Sequence, residues 1–319
     1  MDEKMIRKQI RRSFHPVSWS LVVYYIIMNV AVGIVLFADV MIRLIREIAA
    51  GSSGDTAAAL VDAASNGWGY ILAGIAGLVI LFCWKGKRFW KDQIWAKGRP
   101  MTFGAFCAML ALVVGCQMAA TLGAGILELI LNQFGLSIQA SMESATMSVD
   151  TFSLWLYMAV WAPVTEELLF RGLLQRLMMP YGKRFAIFAS AFLFGIFHGN
   201  LVQSPYAFLV GLILGYVACE HSIAWAMLLH MINNMILGDS FSRVTMGLPF
   251  ELSNMIFLLL TAGCAIAGIV ILLVKRREIR YRLGGPMDKR VLGCFFTNPG
   301  TIVLTVMMVG NMIVMLFLA

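Results

Sequence analysis

The residues of this chain that could do chemistry lie inside its apolar runs. Glu166 and Glu167 are adjacent carboxylates, followed four residues later by Arg171, in the run Trp161–Gly172. A charged side chain costs about 2.5 to 3.5 kcal/mol at the centre of a membrane helix, so intramembrane charges usually serve a function. Glu167 and Arg171 can pair on one helix face, whereas Glu166 is turned about 100° away. A structural salt bridge between packed helices is the alternative explanation.

Two further apolar runs contribute polar side chains at helical spacing. Phe194 and His198 are four residues apart, and so are His230 and Asn234. Because positions i and i+4 share a helix face, each pair is predicted to project from one side of its helix. His198 as an interfacial cap and His230 as a hydrogen-bonded core histidine are the structural alternatives.

The depths of these groups agree when they are counted from the turn at the predicted inner end of each run. Glu166 lies roughly 18 Å above the end of its run, and His198 roughly 21 Å above its own. His230 and Asn234 lie roughly 12 and 18 Å above theirs. Helices that cross in alternating directions would therefore bring these groups together near the midplane. Pro163, which lacks a backbone donor, is expected to kink the helix beside them.

The elements that must hold these groups are transmembrane helices. The chain of 319 residues is 60% hydrophobic and only 13% charged, whereas soluble domains carry roughly 25% charged residues. A membrane-spanning helix needs about 20 apolar residues. Apolar runs predict spans at about residues 17–42, 68–84, 103–131, 151–178, 185–198, 205–219, 223–237, 252–274 and 301–319. The predicted fold is an all-α, polytopic bundle of eight to nine spans with a central intramembrane polar cavity.

The net charge of +8 arises from short basic clusters between the apolar runs. Residues 1–12, 85–99, 176–184 and 275–290 contain 5, 6, 3 and 7 Lys and Arg residues, 21 of the 25 in the chain. This asymmetry predicts an integral, multi-pass protein of the plasma membrane with a cytoplasmic N-terminus. Segment 85–99, with Trp90 and Trp95 among its cations, is predicted to be an interfacial amphipathic helix. The clusters are expected to contact anionic lipid headgroups, and nucleic acid is not an expected partner.

Three motifs of this chain resemble those of the CPBP family of intramembrane endopeptidases, which includes the type II CAAX prenyl proteases and the bacteriocin-processing Abi group. The motifs are Glu166-Glu167-Leu-Leu-Phe-Arg171, Phe194-Gly-Ile-Phe-His198 and His230-Met-Ile-Asn-Asn234. All three are complete and follow the family's order on separate runs. The resemblance covers about residues 151–238, a catalytic core between an N-terminal region, 1–150, and a C-terminal region, 239–319.

The resemblance implies hydrolysis of a peptide bond inside the membrane. The substrate would be a peptide or a membrane protein, in some relatives one with a prenylated C-terminal tail. Glu166 would act as general base, with His198 holding and polarising the attacking water. His230 and Asn234 would donate hydrogen bonds to the tetrahedral oxyanion.

The remaining motif residues would support this chemistry. Glu167 and Arg171 would form the ion pair that fixes their helix, and Phe194 would be a supporting residue of the second motif. The need for a metal stays open at this point. Two histidines and one glutamate could bind Zn²⁺ with an open fourth position, through Glu166, His198 and His230. The chain has no HExxH motif, and a metal-free glutamate mechanism, also proposed for the family, is slightly favoured by the asparagine of the third motif.

Two other functions use similar residues. A proton- or ion-coupled transporter would also place Glu and His inside the membrane, but the chain shows no internal repeat and no paired broken helices. A non-catalytic membrane scaffold or immunity protein of the same family would not need all six polar side chains of the three motifs. The endopeptidase is therefore the preferred hypothesis.

Overall fold

Most of the described residues lie in helices, and no strand occurs among them. The computed structural model describes residues 3–51, 55–145, 151–237, 241, 244–245 and 247–318, without the side chains at 57, 61 and 237. The helices are α1 (Glu3–Ala49), α2 (Thr56–Ala64), α3 (Gly67–Phe89), α4 (Phe103–Asn132), α5 (Gln139–Ala145), α6 (described below), α7 (Lys183–Phe197), α8 (Gln203–Glu220), α9 (Ile223–Leu237), α10 (Phe250–Leu283), α11 (Lys289–Phe296) and α12 (Pro299–Met315).

The helix α6 alternates between α-helical and π-helical turns. Its consecutive pieces are Phe152–Leu156, Tyr157–Trp161, Ala162–Glu167, Leu168–Gln175 and Arg176–Met178, of which the second and fourth are π-helical. Pro163 lies in the first turn of the third piece, where it cannot donate to the carbonyl four residues before it. The backbone hydrogen bond that Pro163 cannot make is therefore missing next to the π-helical piece Tyr157–Trp161. Such turns occur frequently at functional sites.

The lengths of the helices divide them into two groups. Among the described residues, four helices are long and apolar enough to cross a membrane: α1, α3 with its extension to Ile94, α4 and α10. The pair α11 and α12, bent by 61°, would make a fifth if it counts as one span. The helices α7 and α9 have 15 residues each, or about 22 Å, less than the roughly 30 Å of a hydrocarbon core. The all-helical class is confirmed, whereas eight to nine spans and a central cavity are not.

Segment 85–99 differs from the predicted interfacial helix. The chain breaks its helical geometry at Gly86, where φ is +71°, and the helical path ends at Ile94. Trp90 and Ile94 are buried in the main hydrophobic core, at 7% and 0% exposure. Ile94 lies against Gly172 of α6. The apolar side chains of this segment therefore pack into the bundle, although Trp95 is exposed.

Glycines allow close contact between α7 and α8. A Cβ atom at Gly211 would lie 3.1 Å from Ala191, and one at Gly195 would lie 2.8 Å from the carbonyl oxygen of Ser204. Gly215 likewise leaves room for a side chain of α6. Small residues let helix backbones approach closely, so these glycines permit the close contact between α7 and α8. A Cβ atom at Gly211 would also lie 3.1 Å from Nη2 of Arg171, so α8 packs against both α6 and α7, which carry the first and second motifs.

The basic segments meet at one end of the bundle. Several bonds join them to each other or to the end of α8. Examples are Ser13 Oγ with the Tyr181 hydroxyl at 2.5 Å, the Gly98 N–H to the His221 carbonyl at 2.6 Å, and the Lys183 ammonium to the Arg282 carbonyl at 3.0 Å. Segments that the charge count assigns to one side of a membrane therefore lie together in the structure.

Candidate active site

The centre of the site is an ion pair with no exposed side-chain surface. Arg171 Nη1 donates to Glu167 Oε1 at 2.8 Å, and both side chains are 0% exposed. His230 on α9 places its Nδ1 2.9 Å from the same carboxylate oxygen. The expected pair between Glu167 and Arg171 is therefore formed, and its carboxylate also binds α6 to α9.

Glu166 lies on the open side of this centre. Its side chain is 29% exposed, and its Oε2 lies 3.8 Å from Nε2 of His230. The imidazole of His230 therefore stands between two adjacent carboxylates, of which Glu167 is buried and Glu166 is accessible. The turn of about 100° between neighbouring helical residues separates them in this way. An accessible carboxylate can meet water, whereas one fully buried against arginine cannot.

Phe194 contacts a residue of every motif. Its ring centroid lies 4.2 Å from the guanidinium carbon of Arg171, within the range of a cation–π interaction. The same ring makes edge-to-face contacts with His198, at 4.9 Å between ring centroids, and with His230, at 5.7 Å. Phe194 therefore packs against Arg171 and against both histidines and fixes their positions relative to one another.

His198 is fixed at the C-terminal end of α7. Its Nδ1 lies 2.8 Å from the carbonyl oxygen of Phe194. Because a carbonyl can only accept, Nδ1 carries the proton in this bond, and in the neutral ring Nε2 is then the acceptor nitrogen. The next residue, Gly199, has φ +56°, a left-handed conformation that commonly follows the end of a helix. The ring is half-buried and presents Nε2 away from the helix backbone.

Asn234 binds α9 to the first π-helical piece of α6. Its Nδ2 donates to the carbonyl of Met158 at 3.0 Å. Its Oδ1 accepts from Asn233 at 3.3 Å, and Asn233 accepts from the Tyr206 hydroxyl at 2.8 Å. The third motif therefore contacts α6 twice, through His230 at the carboxylates and through Asn234 one helical turn further along.

The side chains proposed for zinc do not form a ligand set. Within the described ranges, no three His, Cys, Asp or Glu side chains are grouped so that they could hold a metal ion. His230 directs both nitrogens towards carboxylates, and His198 uses one nitrogen on a carbonyl. A zinc site needs three protein ligands around one point. The arrangement of Glu166, His198 and His230 does not fit that requirement.

Two tyrosines beside Glu166 are not among the residues predicted from the motifs. Tyr24 on α1 and Tyr157 on α6 interact electrostatically with Glu166. Tyr24 also packs on Gly77 of α3, where a Cβ atom would overlap its ring. Tyr24 follows Arg12 by 12 residues, or roughly 18 Å along a helix. The depth count that grouped the motif residues could therefore have included Tyr24.

Comparison with known proteins identifies the segment that carries this site. Residues 148–236 match the family model of the type II CAAX prenyl endopeptidases, described as Rce1-like. The resemblance to the CPBP family is confirmed. The matched CPBP segment contains all three motifs and, together with the apolar helices, indicates an integral membrane protein. No curated protein and no solved structure matches the chain, and the predicted regions 1–150 and 239–319 lie almost wholly outside the CPBP match.

Proposed function

We propose that this protein is an intramembrane endopeptidase of the CPBP type that cleaves a membrane-associated peptide or protein. The observation that carries the proposal is the separation of two adjacent carboxylates. Glu167 is buried against Arg171 and His230, whereas Glu166 is partly exposed beside them. The match to an endopeptidase family over the same residues supports hydrolysis as the reaction.

In the proposed reaction, Glu166 is the general base. A water molecule held by Glu166 and by Nε2 of His198 gives a proton to the carboxylate while its oxygen attacks the scissile carbonyl carbon. The carbonyl electrons move to its oxygen and form a tetrahedral oxyanion. When the oxyanion collapses, the C–N bond breaks and Glu166 returns the proton to the leaving amine. The products are a carboxylic acid and an amine, which ionise to a carboxylate and an ammonium group, and no covalent enzyme intermediate forms.

The positions of the third-motif residues divide their proposed roles. His230 donates from Nδ1 to Glu167, so in the neutral ring Nε2 has no proton to give to the oxyanion. Nε2 lies 3.8 Å from Oε2 of Glu166, and we assign His230 to positioning beside the general base. Asn234 uses one amide N–H on Met158 and has a second one left. We assign oxyanion stabilisation to this N–H, since a fixed donor beside the developing charge stabilises the transition state.

A groove between α1 and α3 supports entry of the substrate from lipid. It has a volume of about 270 Å³ and is lined mainly by apolar and aromatic side chains, including Pro16, Trp19 and Trp84. Tyr24, which interacts with Glu166, also lines it. An apolar groove that leads to a neighbour of the general base suits an apolar or prenylated substrate tail.

The proposed orientation has the N-terminus in the cytoplasm and the basic end of the bundle at the inner leaflet of the plasma membrane. The meeting of the basic segments at one end supports this orientation. The test is cysteine accessibility mapping with Lys87→Cys in intact cells. Labelling by a membrane-impermeant reagent only after the cells are opened is expected, and labelling from outside would contradict the orientation.

The activity test uses the purified full-length protein in lipid with a peptide library and a farnesylated peptide. Glu166→Ala and His198→Ala are each expected to lower cleavage by about 10² to 10⁴-fold. The matched controls are Glu251→Ala, an exposed carboxylate on α10, and His221→Ala, a histidine at the end of α8. Cleavage at the wild-type rate in both Glu166→Ala and His198→Ala would contradict the proposal. Stoichiometric zinc in the active sample would overturn the metal-free mechanism.

A further inference from the structure

A second apolar groove lies between α4, α7, α8 and α10 and contains none of the motif residues. It has a volume of about 290 Å³. Its lining is apolar along most of its length and includes Leu112 of α4, Ile213 of α8 and Ile279 of α10. Arg184, in the first turn of α7, is the charged residue of the lining. The groove is therefore amphipathic, with a long apolar part and a cation at its basic end.

Arg184 lacks the partners that a guanidinium needs. Its Nη2 donates to the carbonyl of Gly284 at 3.0 Å, and its Nε is buried without a hydrogen-bond partner. No carboxylate of the described chain pairs with it, whereas its neighbour Lys183 is bound to Glu220 at 2.6 Å. A guanidinium has five N–H donors, and buried donors left unpaired are costly. An anion at this position would remove that cost.

The adjacent end of α10 adds a further cation. Ile279 and Leu283 line the groove. Arg276 precedes them by three and seven residues, so it lies on the same face of the helix. Arg276 is exposed, while the acidic residue of this segment, Glu278, is already bound to Arg282. The local charge at the open end of the groove is therefore positive.

We propose that this groove binds one anionic phospholipid, with an acyl chain in the apolar part and the phosphate on Arg184. Phosphate oxygens match the fork of a guanidinium in geometry and charge. A neutral apolar ligand would leave the donors of Arg184 unpaired, and a soluble anion would leave the apolar part unfilled. The bound lipid would join α4, α7, α8 and α10. The inference is independent of the hydrolysis proposed above.

The test titrates the delipidated full-length protein in detergent with phosphatidylglycerol or with phosphatidylcholine of the same acyl chains. Native mass spectrometry counts the lipids bound. One phosphatidylglycerol is expected to bind about tenfold or more tightly than phosphatidylcholine, because the quaternary ammonium of phosphatidylcholine offsets the charge of its phosphate beside Arg184 and Arg276. Arg184→Gln is expected to remove this preference. Ile213→Trp, which fills the groove, is expected to weaken binding of both lipids.

The matched control is Arg277→Gln, an exposed arginine of α10 that is turned away from the groove face, and it should bind as the wild type does. Equal loss in Arg184→Gln and Arg277→Gln would overturn the proposal in favour of diffuse charge attraction. Inorganic phosphate that binds as tightly as the lipid would overturn the acyl-chain part. A folded Ile213→Trp variant that binds lipid with wild-type affinity would also overturn the acyl-chain part. This outcome can be read even if Arg184→Gln fails to fold. Displacement of the lipid by a farnesylated peptide, in wild type and Arg184→Gln alike, would assign the groove to substrate instead.

Discussion

The charged residues at the site and those at the basic end of the bundle both join helices, and the two clusters differ in the atoms that they leave unpaired. The site cluster joins α6 and α9 in the interior through Glu167, Arg171 and His230. The end cluster joins α7, α8 and α10 at the basic end through Lys183, Glu220 and Arg282. Each is built around one carboxylate that meets two basic side chains.

The difference lies in how completely each carboxylate is satisfied. In the end cluster, the two oxygens of Glu220 each meet a cation, Lys183 at 2.6 Å and Arg282 at 3.4 Å. In the site cluster, Oε2 of Glu167 and Nε of Arg171 are buried without a partner. Unpaired buried polar atoms cost free energy, and natural proteins keep such costs mainly where function requires them. The comparison therefore separates a cluster that stabilises the fold from one that serves the proposed chemistry.

The largest expected effect belongs to the accessible carboxylate beside the site cluster. Glu166→Gln keeps the shape of the side chain but removes its ability to take a proton. Peptide cleavage should fall by about 10² to 10⁴-fold, while the Tm in detergent changes little because Glu166 is partly exposed. Initial rates and Tm are measured on the same preparation, beside Glu251→Gln. A folded Glu166→Gln that cleaves at the wild-type rate would remove the distinction between the two glutamates.

The next effect is on stability and comes from breaking the site cluster. Arg171→Met leaves Glu167 as an uncompensated charge in the interior, which should cost about 3 to 5 kcal/mol of unfolding free energy. The double variant Glu167→Gln with Arg171→Met should recover part of that loss, because no lone charge remains. Unfolding in a denaturing detergent measures both. If Arg171→Met were as stable as the wild type, the ion pair would have no structural role.

The sequence predicts the helices well because long apolar runs set their positions. The run at 103–131 becomes α4, Phe103–Asn132, and the run at 252–274 lies within α10. The prediction is poorest for α1, which runs from Glu3 through Pro16 without ending there. Proline is costly inside a helix, but buried neighbours such as Phe14 and Val17 hold this one in the core. Packing of this kind is not visible in a local pattern.

The site is predictable in its members but not in its contacts. Spacing places Glu167 and Arg171 on one face, and the ion pair is found at 2.8 Å. Spacing cannot show that His230 bonds to Glu167 as well, because that contact depends on how α9 packs on α6. The π-helical turns of α6 are also invisible in the residue pattern. They depend on the backbone around Pro163, as well as on neighbours from other helices.

A smaller effect should follow from separating α8 from α7, the helix that carries the second motif. At Gly195 of α7, a Cβ atom would lie 2.8 Å from the carbonyl oxygen of Ser204 and 2.9 Å from Cβ of Phe208. Gly195→Ala must therefore push α8 away, at a cost of about 1 to 3 kcal/mol, and it should also lower activity by moving the adjacent Phe194. Gly263→Ala is the matched control, since open space surrounds that position. If both variants have the same stability, close packing of α7 on α8 is not what holds the motif.

The smallest expected effect comes from the end cluster. Glu220→Gln removes the charge that meets Lys183 and Arg282. The Glu220 side chain is 7% exposed, but the side chains of its two cations are 31% and 20% exposed and reach solvent. Because solvent screens these pairs, the loss of stability should be about 1 kcal/mol or less. It should shrink further in high salt, whereas the loss in Arg171→Met should not, since the site cluster has no exposed surface. Unfolding of both variants at low and high salt tests this contrast directly.

The contradicting outcome is a loss of unfolding free energy in Glu220→Gln that is as large as in Arg171→Met and equally insensitive to salt. It would show that the two clusters contribute to stability in the same way. The unpaired atoms of the site cluster would then need an explanation other than catalysis.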